Sequence, residues 1–299
     1  MSYLYHLLIY FGIYASLAMS LNIVVGYCGL LTLAQAGHFA IGAYAYALGV
    51  TCWGMNSACA LILAFVAGGI SSLLISIPTW RLKGDYFVLV SMSVQVLIYA
   101  AAYNWMNSDA SPGTLKNLTN GPFGIAGIPR PEFFGFKFNS SGSMALFSLA
   151  ITVFFALVSK RLLCAPFGRV LQCLRDDELA TRNLGKSVLV FKLEALLIAS
   201  SMASVAGAVF ASYTSYISPS MASMDQSILL LSMIIVGGMG NLAGPMTGAA
   251  TLLLIPEVLR FMHLPDAVAA EMRIMLYGLL LVLLVHFKPS GIAGTREME

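Results

Sequence analysis

The chain has 299 residues, of which 59% are hydrophobic and only 10% are charged, and its mean hydropathy is +0.85. Soluble domains carry roughly 25% charged residues, so this composition excludes a soluble globular protein and indicates an integral membrane protein. The net charge of +3 is too small to suggest nucleic acid as a partner.

Apolar runs predict about nine transmembrane helices, some of them broken or re-entrant. About 20 helical residues cross the roughly 30 Å of bilayer hydrocarbon, and a spanning segment must satisfy its own backbone hydrogen bonds. The expected fold class is therefore an all-α membrane protein, a polytopic helical bundle that forms one transmembrane domain over residues 1–299. The predicted spans are 4–25, 30–50, 58–80, 86–103, 144–163, 193–213, 227–239, 245–261 and 272–287.

The distribution of Lys and Arg predicts the orientation of these spans. The loop at 164–192 is rich in both residue types, and most of the others fall on its side of the membrane. Because positive charge concentrates in cytoplasmic loops, this loop is expected in the cytoplasm. With nine spans, the amino terminus then lies outside and the carboxyl terminus in the cytoplasm.

The segment 104–143 is then the one large external loop. Its part TNGPFGIAGIP, at 119–129, combines Gly and Pro turns with apolar side chains, which favours tight turns in a loop. Two interpretations stay open: a folded surface for an external partner, or an ordinary connecting loop that packs on the bundle.

A short pattern, Ile-x-Val-Gly-x-x-Gly-x-Leu, occurs at 23–31 and again at 234–242. If the two copies mark corresponding places in two halves of a bundle, they resemble the helix breaks that flank the substrate path of many transporters. The alternative is close helix packing, which small residues permit. The glycines predicted to provide helix breaks or close packing are Gly26, Gly29, Gly237, Gly240 and Gly244.

Mildly polar side chains inside the predicted spans are candidates for the translocation path. Such groups suit a small polar or zwitterionic solute, whereas proton- or sodium-coupled carriers need ionisable groups near the midplane, and carboxylates here fall at span ends. For the histidine in this set, a helix-to-helix hydrogen bond is the alternative. The candidates are Asn22, Gln35, His38 and Gln95.

The only long charged run lies at 167–191. Its charges alternate with apolar residues at helical spacing, which predicts an amphipathic helix at the membrane surface or in a groove of a partner. The charged residues that carry this prediction are Arg169, Arg175, Asp176, Asp177, Glu178 and Arg182.

The chain shows no pattern typical of a catalytic, metal or nucleotide site. Gly185-Lys186-Ser187 resembles the end of a P-loop, but the required earlier glycine is replaced by Ala180. No nucleophile elbow, HExxH motif or metal-ligand spacing occurs, and the five cysteines are interpreted as structural. We therefore expect no enzyme activity, no metal and no cofactor in this chain.

Six segments together resemble the permease subunits of bacterial branched-chain amino-acid ABC transporters, which belong to a high-affinity branched-chain amino-acid and urea permease family. The similarity runs in order through almost the whole chain, and the central segment matches the family's cytoplasmic coupling segment. Glu178, Ala180 and Gly185 occupy its Glu-x-Ala-Ala-x-x-x-Gly core, while Thr181 replaces the usual second Ala. The segments are 26–48, 81–87, 120–129, 169–185, 216–219 and 235–245.

The resemblance implies a role in the bacterial inner membrane and a set of partners. These are a second related permease, two cytoplasmic ATPases that bind ATP and Mg, and an external solute-binding protein. The leading hypothesis is the permease of an importer for branched-chain or related apolar amino acids. The alternatives are an importer of urea or short amides, and a self-sufficient channel or secondary carrier.

Overall fold

The structure is a computed structural model that describes residues 2–79, 84–107, 109–110, 113–114, 116–133, 136–261, 272, 275–276, 278–279, 282, 286 and 291–293. Its helices are α1 (Ser2–Asn22), α2 (Gln35–Thr51), α3 (Ser57–Ser71), α4 (Leu73–Thr79), α5 (Asp85–Asn104), α6 (Ser141–Cys164), α7 (Pro166–Asp176), α8 (Glu178–Asn183), α9 (Val188–Thr214), α10 (Met224–Gly237) and α11 (Ala243–Phe261). A π-helical turn, Ile23–Tyr27, follows α1, and short 3-10 turns occupy Gly121–Phe123 and Pro219–Ala222.

The mostly helical, membrane-spanning character predicted from composition is confirmed. Among the residues that the structure describes, five segments are long and apolar enough to cross a bilayer: Tyr3–Tyr27, Ser57–Ile77, Asp85–Asn104, Ser141–Cys164 and Val188–Thr214. The apolar helices Met224–Gly237 and Ala243–Ile255 are shorter, and α2 has 17 residues. The predicted ninth span, 272–287, lies largely outside the described residues.

In two predicted spans the helix is shortened by several residues or divided in the structure. The span predicted at 30–50 becomes helical only at Gln35, because the chain leaves the π turn through Gly29, whose φ of 72° is incompatible with a continuing right-handed helix. The span predicted at 58–80 is divided at Ser72. The hydroxyls of Ser71 and Ser72 donate to the carbonyls of Gly68 and Gly69, as serines do where they compete with the helical backbone.

In the segment predicted as an external loop, the described residues between α5 and α6 form short ordered pieces, among them the 3-10 turn at Gly121–Phe123 and three short strands. Strand β1 (Ile125–Ala126) pairs antiparallel with β4 (Tyr216–Ile217), and β2 (Glu132–Phe133) pairs with β3 (Phe136–Lys137). The first pair joins this segment to the chain between α9 and α10. These two segments therefore lie at the same end of the bundle.

Helix α1 occupies the centre of the bundle. Of its most apolar stretch 78% is buried, against 28% for α5 and for α6, and α1 contacts α6, α9, α10 and α11. A helix that is apolar all round belongs inside such a bundle. Helices α5 and α6 instead expose apolar side chains, including Leu97 and Phe154, on faces suited to lipid.

Helix α2 packs between α3 and α9 at very short distance. A Cβ added at Gly42 would overlap the carbonyl oxygen of Ser204, and one at Gly207 would overlap that of Phe39. The Ser204 hydroxyl also donates to the His38 carbonyl at 2.7 Å. Glycine is thus required where the backbones of α2 and α9 meet, as in other membrane helix pairs.

Candidate functional site

The charged segment predicted as an amphipathic surface helix forms two short helices, α7 and α8, between the long helices α6 and α9. Pro166 occupies the first turn of α7, where its missing N–H costs nothing. Asp177 separates the two helices and caps α8, because its carboxylate accepts from the backbone N–H of Leu179 at 2.8 Å and of Ala180 at 3.0 Å. An aspartate in this position starts a helix efficiently.

Arg175, in the last turn of α7, reaches the turn that follows α1. Its Nη1 donates to the Gly26 carbonyl oxygen at 2.6 Å, and its aliphatic stem covers Gly29, where an added Cβ would lie 2.5 Å from Arg175 Cγ. At Gly240 an added Cβ would lie 3.2 Å from Arg175 Nη1. Gly29 therefore leaves room for the stem of Arg175, and Gly240 leaves room beside its guanidinium.

Asn22, the last residue of α1, joins the same two turns. Its Oδ1 accepts from the Gly240 N–H at 3.2 Å, and its Nδ2 donates to the Asn241 carbonyl at 2.9 Å. A Cβ at Gly26 would lie 2.7 Å from the Gly240 nitrogen. We call the cluster of Asn22, Gly26, Gly29, Arg175 and Gly240 the glycine junction.

The glycine junction brings both copies of the repeated sequence pattern together. The turn at 23–31 and the turn at 234–242 touch directly, and the charged segment adds Arg175 to the contact. The repeated pattern singled out these two turns in the sequence. It did not indicate that Asn22, which was predicted for the translocation path, would link the two copies. Asn241, which also donates to the Ala293 carbonyl at 2.8 Å, was not predicted.

The other predicted glycines lie in the packing of α10 against α11. A Cβ at Gly237 would overlap the Gly244 carbonyl oxygen, and one at Gly244 would overlap the Gly238 carbonyl oxygen. Both positions thus permit close approach of two chain segments rather than a change of direction within one helix.

Glu178, at the start of α8, forms an ion pair with Lys192 of α9 at 2.9 Å. The Lys192 side chain is only 5% exposed, so its partner compensates a charge that is largely removed from water. Burial raises the pKa of nearby Cys28 to about 12, which keeps that thiol protonated and unreactive. Lys192 was not among the predicted site residues. Its position at the start of an apolar run could have indicated a buried charge that needs a partner.

The remaining predicted coupling residues lie on the outer surface of α7 and α8. Arg175 also contacts Asp176 at 3.3 Å, and Gly185 ends α8 with a φ of 77°. Two apolar side chains on the same surface, Leu179 and Leu184, are 65% and 76% exposed. The exposed members of the predicted set are Arg169, Asp176, Asp177, Ala180, Arg182 and Gly185.

Three residues predicted for the translocation path are buried and hydrogen-bonded within the bundle. The amide nitrogen of Gln35 donates to Ser20 Oγ at 2.7 Å, and His38 Nδ1 lies 2.7 Å from Ser71 Oγ. Gln95 accepts from the Gly37 N–H at 2.7 Å and donates to the Ala222 carbonyl at 2.6 Å. Each side chain thus links α2 or α5 to a neighbouring segment, and a contact with solute stays a prediction.

A cavity of about 220 Å³ lies at the end of the bundle opposite α7 and α8. None of the four residues predicted for the translocation path lines it. The aromatic residues of α1 and α9 could have indicated this cavity in the sequence, but the same pattern is also typical of helix packing. The lining residues are Tyr14, Phe39, Phe210, Thr214, Tyr216, Ser218, Ser220, Met221 and Gln226.

Comparison with known structures identifies the fold. A metal-chelate type ABC transporter in an inward-facing conformation superposes with a TM-score of 0.53. The similarity covers 94% of this chain and 86% of that chain, with 20% sequence identity. At this identity the likeness concerns the fold alone.

Comparison with known sequences identifies the family. The chain is 31% identical to the high-affinity branched-chain amino acid transport system permease protein LivM of Salmonella typhimurium and 30% identical to that of Escherichia coli. Each alignment covers 94% of this chain and 67% of the relative. The family model described as branched-chain amino acid transport system / permease component matches residues 3–285. Because this match spans nearly the whole chain, the protein belongs to the family of branched-chain amino acid transport permease components.

Proposed function

We propose that this chain is the translocation subunit of an ATP-driven importer of branched-chain or related apolar amino acids. Family membership supports a transport role, and the names of the two LivM relatives support the solute class. In this proposal a second related permease completes the membrane path. Two cytoplasmic ATPases bind ATP and Mg, and an external binding protein delivers the solute.

The observation that carries the proposal is the position of α7 and α8. They form a charged surface segment at one end of the bundle. Arg175 bonds to the turn after α1 and Glu178 pairs with Lys192 of α9, while the Arg175 guanidinium also lies near Gly240, in the turn before α11. A displacement of this segment by an ATPase would therefore act on the turn after α1, on the turn before α11 and on α9. Such an arrangement suits a two-state change of packed elements.

Leu179 and Leu184 give this segment an apolar contact surface. Both side chains are more than half exposed, at the end of the bundle that also carries most of the charge of the central loop. Exposed apolar residues among charges are typical of a helix that enters a groove of a partner protein. We assign α7 and α8 as the coupling segment on this basis.

The orientation and the number of spans belong to the same proposal. The positive residues of the central loop favour a cytoplasmic α7 and α8, which places the paired strands β1 and β4 outside. Nine spans then leave the amino terminus outside and the carboxyl terminus in the cytoplasm of a bacterial cell. The external loop offers the surface that a binding protein would contact.

The test is a pull-down of the tagged chain in mild detergent from its native membrane, combined with uptake of radiolabelled leucine and urea. We expect copurification of ATPase subunits and a second permease, and ATP-dependent uptake of leucine. Recovery of the chain alone, with solute movement in liposomes without ATP, would overturn the importer assignment. Uptake of urea in place of leucine would overturn the assignment of the solute.

A matched pair of variants tests the coupling segment. Leu184→Glu places a charge on the exposed surface of the segment and is expected to reduce copurification of ATPase by about tenfold, as loss of a central apolar contact does in other interfaces. The control is Phe123→Glu, which changes an apolar side chain that is 68% exposed at the other end of the bundle. Equal ATPase recovery from both variants would contradict the assignment.

A further inference from the structure

The cavity opposite the coupling segment has an aromatic wall built by three helices. The rings of Phe39 on α2 and Phe210 on α9 meet edge to face, with centroids 5.5 Å apart. On α1, Tyr10 and Tyr14 lie one helical turn apart, with ring centroids 6.3 Å apart, and Tyr10 also contacts Phe210. The wall therefore continues from the cavity toward the start of α1.

The rest of the cavity lining, apart from Met221, is polar but uncharged. It carries the hydroxyls of Thr214, Ser218 and Ser220 and the amide of Gln226. Ser218 Oγ and Ser220 Oγ lie 2.7 Å apart; since only one of them donates to the other, the second hydroxyl hydrogen can point into the cavity. Each of these oxygens can also accept a hydrogen bond.

This combination defines the chemistry of a ligand. Rings and a methionine, Met221, provide an apolar surface, while hydroxyls and an amide provide both donors and acceptors. The described lining residues carry no formal charge, so a solute with net charge would lose hydration without a counter-charge. A zwitterion is neutral overall, and its ammonium and carboxylate groups can pair with hydroxyl and amide groups.

We propose that this cavity is the first solute site of the permease and holds an amino acid with an aliphatic side chain, which lies against Phe39, Phe210 and Met221. The inference rests on the proposed function, which supplies the direction of transport. The volume of about 220 Å³ is below the roughly 300 to 1,000 Å³ of sites for drug-sized ligands, as a small solute requires. The neighbouring β1 and β4 place the site at the end where a binding protein would release its solute.

The test uses the complete transporter in cells and modifies the rim of the cavity after folding. Ser220→Cys is introduced together with Cys52→Ser and Cys59→Ser, which remove exposed thiols at the same end. A membrane-impermeant methanethiosulfonate is then attached, and the initial rate of leucine uptake is measured. We expect a loss of at least about tenfold, because the added group fills part of the site, and recovery after reduction with dithiothreitol.

Two further variants control the experiment. Asn139→Cys in the same background adds an exposed thiol in the predicted external loop and is expected to keep its uptake after labelling. Tyr216→Cys, at a rim residue that is 45% exposed, replaces Ser220→Cys if that variant is inactive before labelling. Saturating leucine is expected to slow modification of the rim thiol but not of N139C.

The outcomes separate the two proposals. If wild-type cells take up leucine and fully modified S220C or Y216C retains uptake within about twofold of its unmodified form, the cavity is not the solute site, because blocking a required site lowers flux. If the wild-type chain supports no ATP-dependent leucine uptake at all, the proposed function fails, and the assignment of the site fails with it.

Discussion

Arg175 connects three parts of the chain that lie far apart in sequence. One guanidinium group, held in the last turn of α7, donates to the carbonyl of Gly26 and lies beside Gly240. The planar, always-charged guanidinium can serve several acceptors at once, which a lysine ammonium does with less geometric definition. The Arg175 side chain therefore links the charged surface segment to the glycine junction.

Removing that side chain should destabilise the protein and uncouple transport. We expect Arg175→Ala to lower the free energy of unfolding by about 1.5 to 3 kcal/mol, the usual loss for a hydrogen bond to a charged group. The measurement is chemical unfolding of the purified protein in detergent, together with leucine uptake. Arg182→Ala, at an exposed arginine of α8, is the control and should leave stability within about 0.5 kcal/mol. Equal losses in both variants would contradict the role of Arg175.

At the scale of elements, the apolar runs were sufficient to predict the long helices, because spanning segments must be both long and apolar. The breaks were harder to predict. Gly29 and Ser72 end helical segments through a positive φ and through hydroxyl hydrogen bonds, whereas other glycines such as Gly42 lie within an intact helix. The sequence shows the residue type in each case but not the neighbouring backbone that decides its effect.

The same reasoning applies to the polar residues. Asn22, Gln35, His38 and Gln95 were predicted for the translocation path, and that role stays a prediction; in the structure their side chains are hydrogen-bonded inside the bundle, where unpaired polar groups are costly. Their partners are carbonyls, hydroxyls and two backbone N–H groups on distant segments. Such partners become visible only when the helices are assembled, so a pairing role and a solute-binding role look identical in sequence.

The pairing of α2 with α9 provides a prediction at this scale. Gly42→Ala would place a methyl group on the backbone of Ser204, which cannot move without separating the helices. We expect a loss of about 1 to 3 kcal/mol, as for other overpacked contacts, and less protein in the membrane. In the matched variant Gly69→Ala, the nearest atom is the Ser201 hydroxyl at 3.0 Å, which can rotate away. If thermal unfolding shows a larger loss of stability for Gly69→Ala than for Gly42→Ala, the close packing of α2 on α9 at Gly42 is contradicted.

The whole molecule has two chemically different ends. One end carries α7, α8 and the glycine junction, and the other carries β1, β4 and the cavity with its hydroxyl groups. Helices α1 and α9 reach both ends, since each contributes to the cavity and each contacts the π turn or the ion pair. In the proposed transport cycle, a displacement of α7 and α8 would therefore reach the cavity through continuous helices, without a separate linkage.

The native cysteines test which end faces outward. Cys52, just after α2, and Cys173, on α7, are both exposed and lie at opposite ends, whereas buried Cys28, with a pKa of about 12, has almost no thiolate to react. In chains that keep only one of these cysteines, a membrane-impermeant maleimide applied to intact cells should label Cys52 and spare Cys173. Permeabilisation should then expose Cys173, while Cys28 stays unlabelled until the protein is denatured. Labelling of Cys173 in intact cells would reverse the orientation and remove the coupling segment from the cytoplasm.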